Sequence, residues 1–323
     1  MPVFGVCGPI CSGKDVAVEY LRTQHSCTLI ECCETIKAST SVTVFKVDGE
    51  TLTGVSELVN FVTRNWRKRY VLNNFSDPTL RDALSKRPFF LLVYLDAPIL
   101  TRYERYVKSK RPYNITLEMF CRMQDSAAFN PIDGVNKHRA FANVYINNDS
   151  SEKPQLWEKL KRADLMNGDR FRPCWDAYFM QLASLASMRS NCMKRRVGCV
   201  LVRDQRVIAT GYNGTPRGLR NCNEGGCTRC NSAAKSGIGL GTCLCLHAEE
   251  NALLEAGRER IGDRGILYCN TCPCLTCSVK IAQVGISEVV YSTSYSMDNQ
   301  SADILKAGGV VLRQFVPPLT DVF

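Results

Sequence analysis

Leu246-His247-Ala248-Glu249-Glu250-Asn251-Ala252, followed by Thr271-Cys272-Pro273-Cys274-Leu275-Thr276-Cys277, is the part of the chain on which its reading turns. Apolar residues recur at helical spacing after each segment, which predicts helices over about His247–Ala256 and Cys274–Gln283. Cys274 and Cys277 stand three apart at one helix start, so both sulfurs can face a single point. The positive helix end favours their thiolate forms. His247 opens the neighbouring helix and offers a neutral nitrogen. Zinc prefers tetrahedral nitrogen and sulfur ligation, and three protein ligands leave a fourth position open, as in catalytic rather than structural sites. Glu249 is not needed as a ligand and is placed to carry protons. Taken alone, a C-x-x-C also fits a redox pair or half of a structural zinc site, and a helix-start histidine also fits a cap. Together the two segments point to a catalytic metal with His247, Cys274 and Cys277 as ligands and Glu249 as the acid–base group.

Composition agrees with this. The chain has 323 residues, enough for two domains, and its 45% hydrophobic content suffices for packed cores. A formal charge of +10 suggests an anionic partner without choosing among nucleotides, nucleic acid and acidic surfaces. Cysteine is over-represented at 18 residues. The first ten residues lack a signal-peptide pattern and no apolar run approaches the ~20 residues of a membrane helix. A cytoplasmic or nuclear chain with no membrane association is therefore expected, and in such a chain crowded cysteines point to metal rather than disulfides.

Working outward, strands alternating with helices predict an α/β architecture in both halves, with the boundary between Met166 and Arg172: residues 1–168 as one domain and 169–323 as the other. In the first, strands are expected at Val3–Val6, Phe89–Leu95 and Ala142–Ile146, and helices at Asp15–Arg22, Ile99–Lys108, Leu117–Phe129 and Gln155–Leu165, the last closing near Asn167-Gly168. In the second, a helix over Trp175–Met188 precedes a hairpin of Val197–Val202 and Val207–Thr210 turning at Asp204-Gln205. Further strands fall at Ile266–Cys269, Glu288–Tyr291 and Val310–Arg313, with a helix at Asp298–Lys306. The polar, cysteine-rich segment 211–242 is too long for an ordinary connection.

Gly8-Pro9-Ile10-Cys11-Ser12-Gly13-Lys14 follows a strand and opens a helix, the context a G-x-x-x-x-G-K phosphate loop requires. Gly8, Gly13 and Lys14 are its candidate phosphate contacts. Asp15 stands where a Ser or Thr normally meets Mg²⁺. Leu95–Pro98, the Arg102 and Arg105 helix, and Val144–Asp149 resemble the dephospho-coenzyme A kinase and nucleotide kinase superfamily, but that family's catalytic acidic motif is not found. A P-loop kinase-like domain that scaffolds or senses nucleotide is expected, rather than an active kinase.

The H-x-E … P-C-x-x-C pattern is the signature of zinc deaminases of nucleobases. Four more stretches resemble deoxycytidylate deaminases: Arg196–Val200, Gly211–Gly218, Gln283–Val289 and Ser294–Asp298. The resemblance covers nearly all of Trp175–Gln314 and is to fungal members with an N-terminal extension. It implies a cytidine deaminase-like three-layer α/β fold, dCMP as substrate, a homohexamer, activation by dCTP with Mg²⁺ and inhibition by dTTP. By position it implies that Asn213 contacts the sugar, Tyr295 packs on the substrate and Arg258 lies near its phosphate. A structural zinc is implied with Cys192, Cys222, Cys227 and Cys243, the fourth ligand being Cys230 or Cys245 in the alternatives. An effector site lined by Gly211, Gly214, Arg217 and Gly218 is expected, because glycine amides can approach phosphates closely and Arg217 adds charge. The rival readings are a deaminase acting on tRNA adenosine, free cytosine or a riboflavin precursor, a zinc-stabilised nucleic-acid-binding module that would not need Glu249, and a bifunctional kinase–deaminase.

Overall fold

The computed structural model describes residues 2–37, 40–109, 115–132, 134–150, 152–232, 239–294, 299–318 and 321–322. The chain forms two compact units, residues 1–172 with 318–323, and residues 173–317.

The first unit is built on an eight-stranded sheet. From one edge its strands run Asp321–Val322, Val144–Asn147, Phe90–Asp96, Val3–Cys7, Tyr70–Leu72, Thr28–Lys37, Thr40–Val47 and Glu50–Thr53. The first six are parallel, and the last two extend the sheet as an antiparallel arm. Continuous apolar runs such as Phe90–Leu95 are buried throughout, as expected where helices cover both faces. Three expectations are revised. Residues 28–85, to which no element was assigned, hold four strands and two helices, Gly54–Arg64 and Pro78–Ser85; Tyr70–Leu72 has only three residues and cannot display a period. The helix expected to close near Asn167-Gly168 spans Lys153–Ala163 and ends on Asp164 in the left-handed region (φ 43°), because the next residue, Leu165, must turn back into the core. Residues 318–323, expected in the C-terminal domain, belong to the first unit: Asp321 and Val322 pair with Tyr145 and Ile146, and Val322 is buried.

The second unit is a five-stranded sheet in the order Val311–Gln314, Glu288–Thr293, Ile266–Thr271, Gly198–Arg203, Arg206–Tyr212. The first three are parallel and the last two form an antiparallel hairpin. At the turn Asp204 and Gln205 take φ of 49° and 61°, the twist a two-residue hairpin requires. Side-chain alternation divides the strands between two cores. Cys199, Leu201, Leu267, Cys269 and Val289 face the helices Ala248–Ile261, Leu275–Val284 and Asn299–Ala307. Val200, Val202, Tyr268 and Val290 face Phe179, Met180 and Ala183 of the helix Trp175–Ser187. The result is helix, sheet and helix in three layers. Gly211 sets the spacing on the first face: a Cβ there would lie 2.1 Å from the Ala248 carbonyl oxygen, so only glycine lets the helix that carries Glu249 rest directly on the strand.

Candidate functional site

The site lies where two helices begin on the same face of this sheet. His247 precedes the Ala248–Ile261 helix in extended conformation, and its backbone N–H donates to Glu250 Oε2 at 3.0 Å. Cys274 holds the equivalent position before Leu275–Val284, and Cys277 follows one turn in. His247 Nδ1 is 3.3 Å from the sulfurs of both Cys274 and Cys277. A tetrahedral zinc with Zn–N near 2.0 Å and Zn–S near 2.3 Å needs nitrogen–sulfur edges of about 3.5 Å, so this donor set fits zinc in both chemistry and spacing. Cys277 is buried while Cys274 faces solvent, which leaves one side of the trio open.

The electrostatics suit a metal. The Cys277 thiol, followed by His247 and the Thr276 hydroxyl at 3.1 Å, holds Cys274 down to about 3, a thiolate at neutral pH. Cys277 is pushed upward by that thiolate and by burial. His247 is raised by its contact with Cys274. Glu249, one residue into the helix, is only 4% exposed, and burial raises its carboxyl above the ordinary range. A carboxyl in this setting can both accept and return a proton.

Sequence reasoning passed over Glu250. Its carboxylate takes the His247 N–H and also accepts from Lys280 Nζ of the second ligand-bearing helix, which ties the two helix starts together. The signal was present, since an acidic residue three positions after the N-cap is half of a capping box.

The remaining site candidates separate. Asn213 is buried at the end of the hairpin and is largely committed: Oδ1 accepts from Val197 N at 2.8 Å and Ser190 Oγ at 2.7 Å, and Nδ2 donates to Arg195 O at 2.8 Å. It braces the strand against the 190–197 turn, with one N–H left over. Gly211 and Gly214 are buried and Gly214 N–H donates to Leu246 O, so these two do not present amides to a phosphate; Arg217 and Gly218 are exposed. Arg258 is exposed and follows Gly257, whose φ of 67° and ψ of 153° break the helix that His247 caps. Tyr295 lies outside the described residues.

The cysteines of the long segment gather in a cluster of their own. Cys222, Cys227, Cys230 and Cys245 are buried, with Cys192 and Cys243 packed against them. The expected ligand set of Cys192, Cys222, Cys227 and Cys243 does not form one group. Cys192 and Cys222 converge with Cys230 and Cys245, while Cys227 and Cys243 converge with the same Cys230 and Cys245. Although burial works against ionisation, N–H groups of Cys230 and Leu244 and the neighbouring thiols bring Cys227 down to about 6.

In the first unit, Gly8 and Gly13 take φ of 145° and 105°, which residues with a Cβ rarely adopt. Lys14 turns inward: Nζ donates to Gly8 O and Pro9 O, both at 2.9 Å. Arg105 donates to Cys11 O at 3.0 Å and Asn148 Nδ2 to Ser12 O at 2.8 Å, closing the loop from outside. A cavity of about 530 Å³ opens beside Gly8, Lys14 and Asn74.

Comparison with known proteins places this geometry. Residues 173–293 match the family model described as the cytidine and deoxycytidylate deaminase zinc-binding region. The deoxycytidylate deaminase of Schizosaccharomyces pombe is 59% identical over 323 residues, covering 100% of both chains. That of Saccharomyces cerevisiae is 50% identical over 274 residues, 80% of this chain and 85% of the other. Among solved structures, the dCMP deaminase of cyanophage S-TIM5 in complex with dCMP and dUMP is 31% identical, with 43% of this chain and 94% of that chain covered at a TM-score of 0.34. Because the similarity to the fungal relatives runs through both units and not only through the metal-binding region, the whole chain belongs to the deoxycytidylate deaminase family of enzymes.

Proposed function

We propose that this protein hydrolyses dCMP to dUMP and ammonia, using zinc held by His247, Cys274 and Cys277 and Glu249 as proton carrier. The observation that carries the reading is the convergence of one imidazole nitrogen and two sulfurs beside a buried carboxylate. Two relatives named deoxycytidylate deaminases support the substrate. When bound, the ion supplies Lewis acidity that makes water a nucleophile near neutral pH. The chain's own residues do the rest. Glu249 takes one proton from the attacking water on a carboxylate oxygen, holds it in a pocket that already favours the protonated form, and delivers it to the ring nitrogen; it then carries the second proton, from the hydroxyl that becomes the carbonyl, to the amine, which leaves as ammonia. Glu250 and Lys280 keep the two helix starts at fixed separation while this happens. In Glu249→Gln, zinc content should match wild type while dCMP turnover falls by about 10²–10⁴-fold. Near-normal turnover in the zinc-loaded variant would remove Glu249 from the reaction.

The finer readings follow the same resemblance. Activation by dCTP with Mg²⁺ and inhibition by dTTP in a homohexamer require a second nucleotide site with different affinity in two conformations. Arg217 and Gly218, exposed at the tip of the 211–218 loop, are the members of the expected site still open to solvent. Dependence of the dCMP saturation curve on both triphosphates tests this, and indifference to both rejects it. In the first unit, the parallel sheet with the Gly8–Lys14 loop at the end of a central strand supports a degenerate P-loop kinase-like domain that binds nucleotide, since such sheets bind ligands beyond their carboxyl edges. Calorimetric titration with ATP tests it, and no binding rejects it. A cytoplasmic or nuclear setting completes the proposal.

A further inference from the structure

We infer that the cysteine cluster of the C-terminal unit is a binuclear zinc centre, Zn₂Cys₆, in which Cys230 and Cys245 bridge two metal ions. Cys192 and Cys222 complete one site and Cys227 and Cys243 the other.

Two sets of four sulfurs meet, each with all members within 4.8 Å of one another, and the sets share two residues. A tetrahedral Zn–S distance of about 2.3 Å implies sulfur–sulfur edges of about 3.8 Å. The observed separations are 3.9 Å for Cys192–Cys230, 3.9 Å for Cys227–Cys243, 3.7 Å for Cys230–Cys243 and 3.9 Å for Cys230–Cys245. All are far longer than the ~2.05 Å of a disulfide. A single tetrahedral ion uses four sulfurs and would strand two thiols against it. Two ions sharing an edge use all six.

The donors around the cluster sort in the same way. Met193 N donates to Cys222 Sγ at 3.4 Å and Leu244 N to Cys227 Sγ at 3.4 Å, while the Arg229 guanidinium reaches Cys243 Sγ at 3.9 Å and also touches the Cys230 sulfur. Backbone amides of Lys194 and Arg195 serve Cys192. The contacts of Cys230 and Cys245 are dominated by the other sulfurs, with Cys230 3.9 Å from Cys192, 3.7 Å from Cys243 and 3.9 Å from Cys245. Terminal thiolates have lone pairs to spare for N–H groups; a bridging thiolate commits two of its lone pairs to metal. Two Zn²⁺ and six thiolates sum to −2, with the protons of those cysteines still in the thiol form released on binding, and Arg229 together with the amides lies against that charge.

The surroundings also require an organiser. Among the described residues the buried cluster in this segment consists of cysteines, with no aliphatic side chain among them. Among the described residues its regular structure is short turns at Cys222–Glu224, Thr228–Asn231 and Leu240–Thr242. Metal coordination supplies the folding free energy that such a segment cannot draw from apolar burial.

None of the six sulfurs belongs to the His247 trio, so this inference and the deamination reading can fail separately. The full-length protein, purified without chelator, should contain three zinc ions per chain by elemental analysis; two or fewer would overturn the binuclear centre. After exchange with ¹¹³Cd, two sulfur-ligated resonances should show mutual scalar coupling through the shared thiolates. Uncoupled signals, or one signal from this segment, would overturn it without need of a variant. Cys230→Ser or Cys245→Ser should cost two zinc ions, Cys192→Ser no more than one; equal losses of one in all three would count against bridging. A coupled cadmium pair in a protein that does not deaminate dCMP would support the centre and overturn only the deamination reading.

Discussion

His247, Cys274 and Cys277 meet at the starts of two packed helices, whereas the other six clustered cysteines come from the turn after the Trp175–Ser187 helix and from a segment whose described residues form only short turns. Both regions offer sulfur to a metal. On the helices the backbone is already rigid, so three ligands suffice, and the fourth position can be left to chemistry beside a buried carboxylate. In the loop the buried side chains among the described residues are sulfurs rather than aliphatics, so a metal proposed there would be surrounded by sulfur with no position left open. A preformed scaffold permits an incomplete, reactive metal site; an unscaffolded segment needs a complete, inert one.

Variants can break this comparison from either side. The largest effect is expected from Cys277→Ser. It should lose one zinc and reduce dCMP turnover to background while thermal unfolding changes little, since the helix starts are also held by Glu250 and Lys280. Retention of full zinc content would show that the trio is misassigned. Cys222→Ser should do the reverse. Stability of the unit should fall by about 3 kcal/mol, on the order of 10 °C in Tm, with the turnover number nearly unchanged in the protein that remains folded. A variant that melts like wild type but has lost turnover would mean that the loop cluster serves the reaction directly.

The smallest effect sharpens the claim that the sheet itself is rigid. Asp176, at the start of the Trp175–Ser187 helix, accepts from Arg313 Nη1 at 2.7 Å and Tyr268 Oη at 2.9 Å. Arg313 also donates to Glu288 at 2.8 Å, so edge strand, central strands and covering helix are linked. The Arg313 hydrogen bond lowers the Asp176 carboxyl below its ordinary 3.8. Because the folded value is depressed, the stabilisation is complete above the unfolded value and is lost as pH falls through the folded one. Below about pH 4 the wild type should therefore lose this contribution, about 1 kcal/mol for a partly exposed pair. Asp176→Asn should lack it at pH 7 and show a shallower acid limb in denaturant titrations. Equal acid sensitivity in both would assign the loss to other carboxylates.

Local sequence determined much of this protein. Spacing alone singled out His247, Cys274 and Cys277, which the fold brings within 4.8 Å of one another, because a trio of donors on two helix starts is written in a few adjacent residues. The helix Ile99–Lys108 and the hairpin turning at Asp204-Gln205 were equally legible, since apolar period and turn chemistry are properties of short segments. What only the tertiary structure decided are the relations between distant segments. The pairing of Asp321–Val322 with Val144–Asn147, the commitment of Asn213 to the turn beneath it and the division of six cysteines into two overlapping tetrads all depend on which backbone lies beside which. Sequence spacing could show that Cys227 and Cys230 suit a metal. It could not show that Cys230 and Cys245, fifteen positions apart, stand 3.9 Å from each other between two further pairs, because that distance is set by how the loop folds on the sheet.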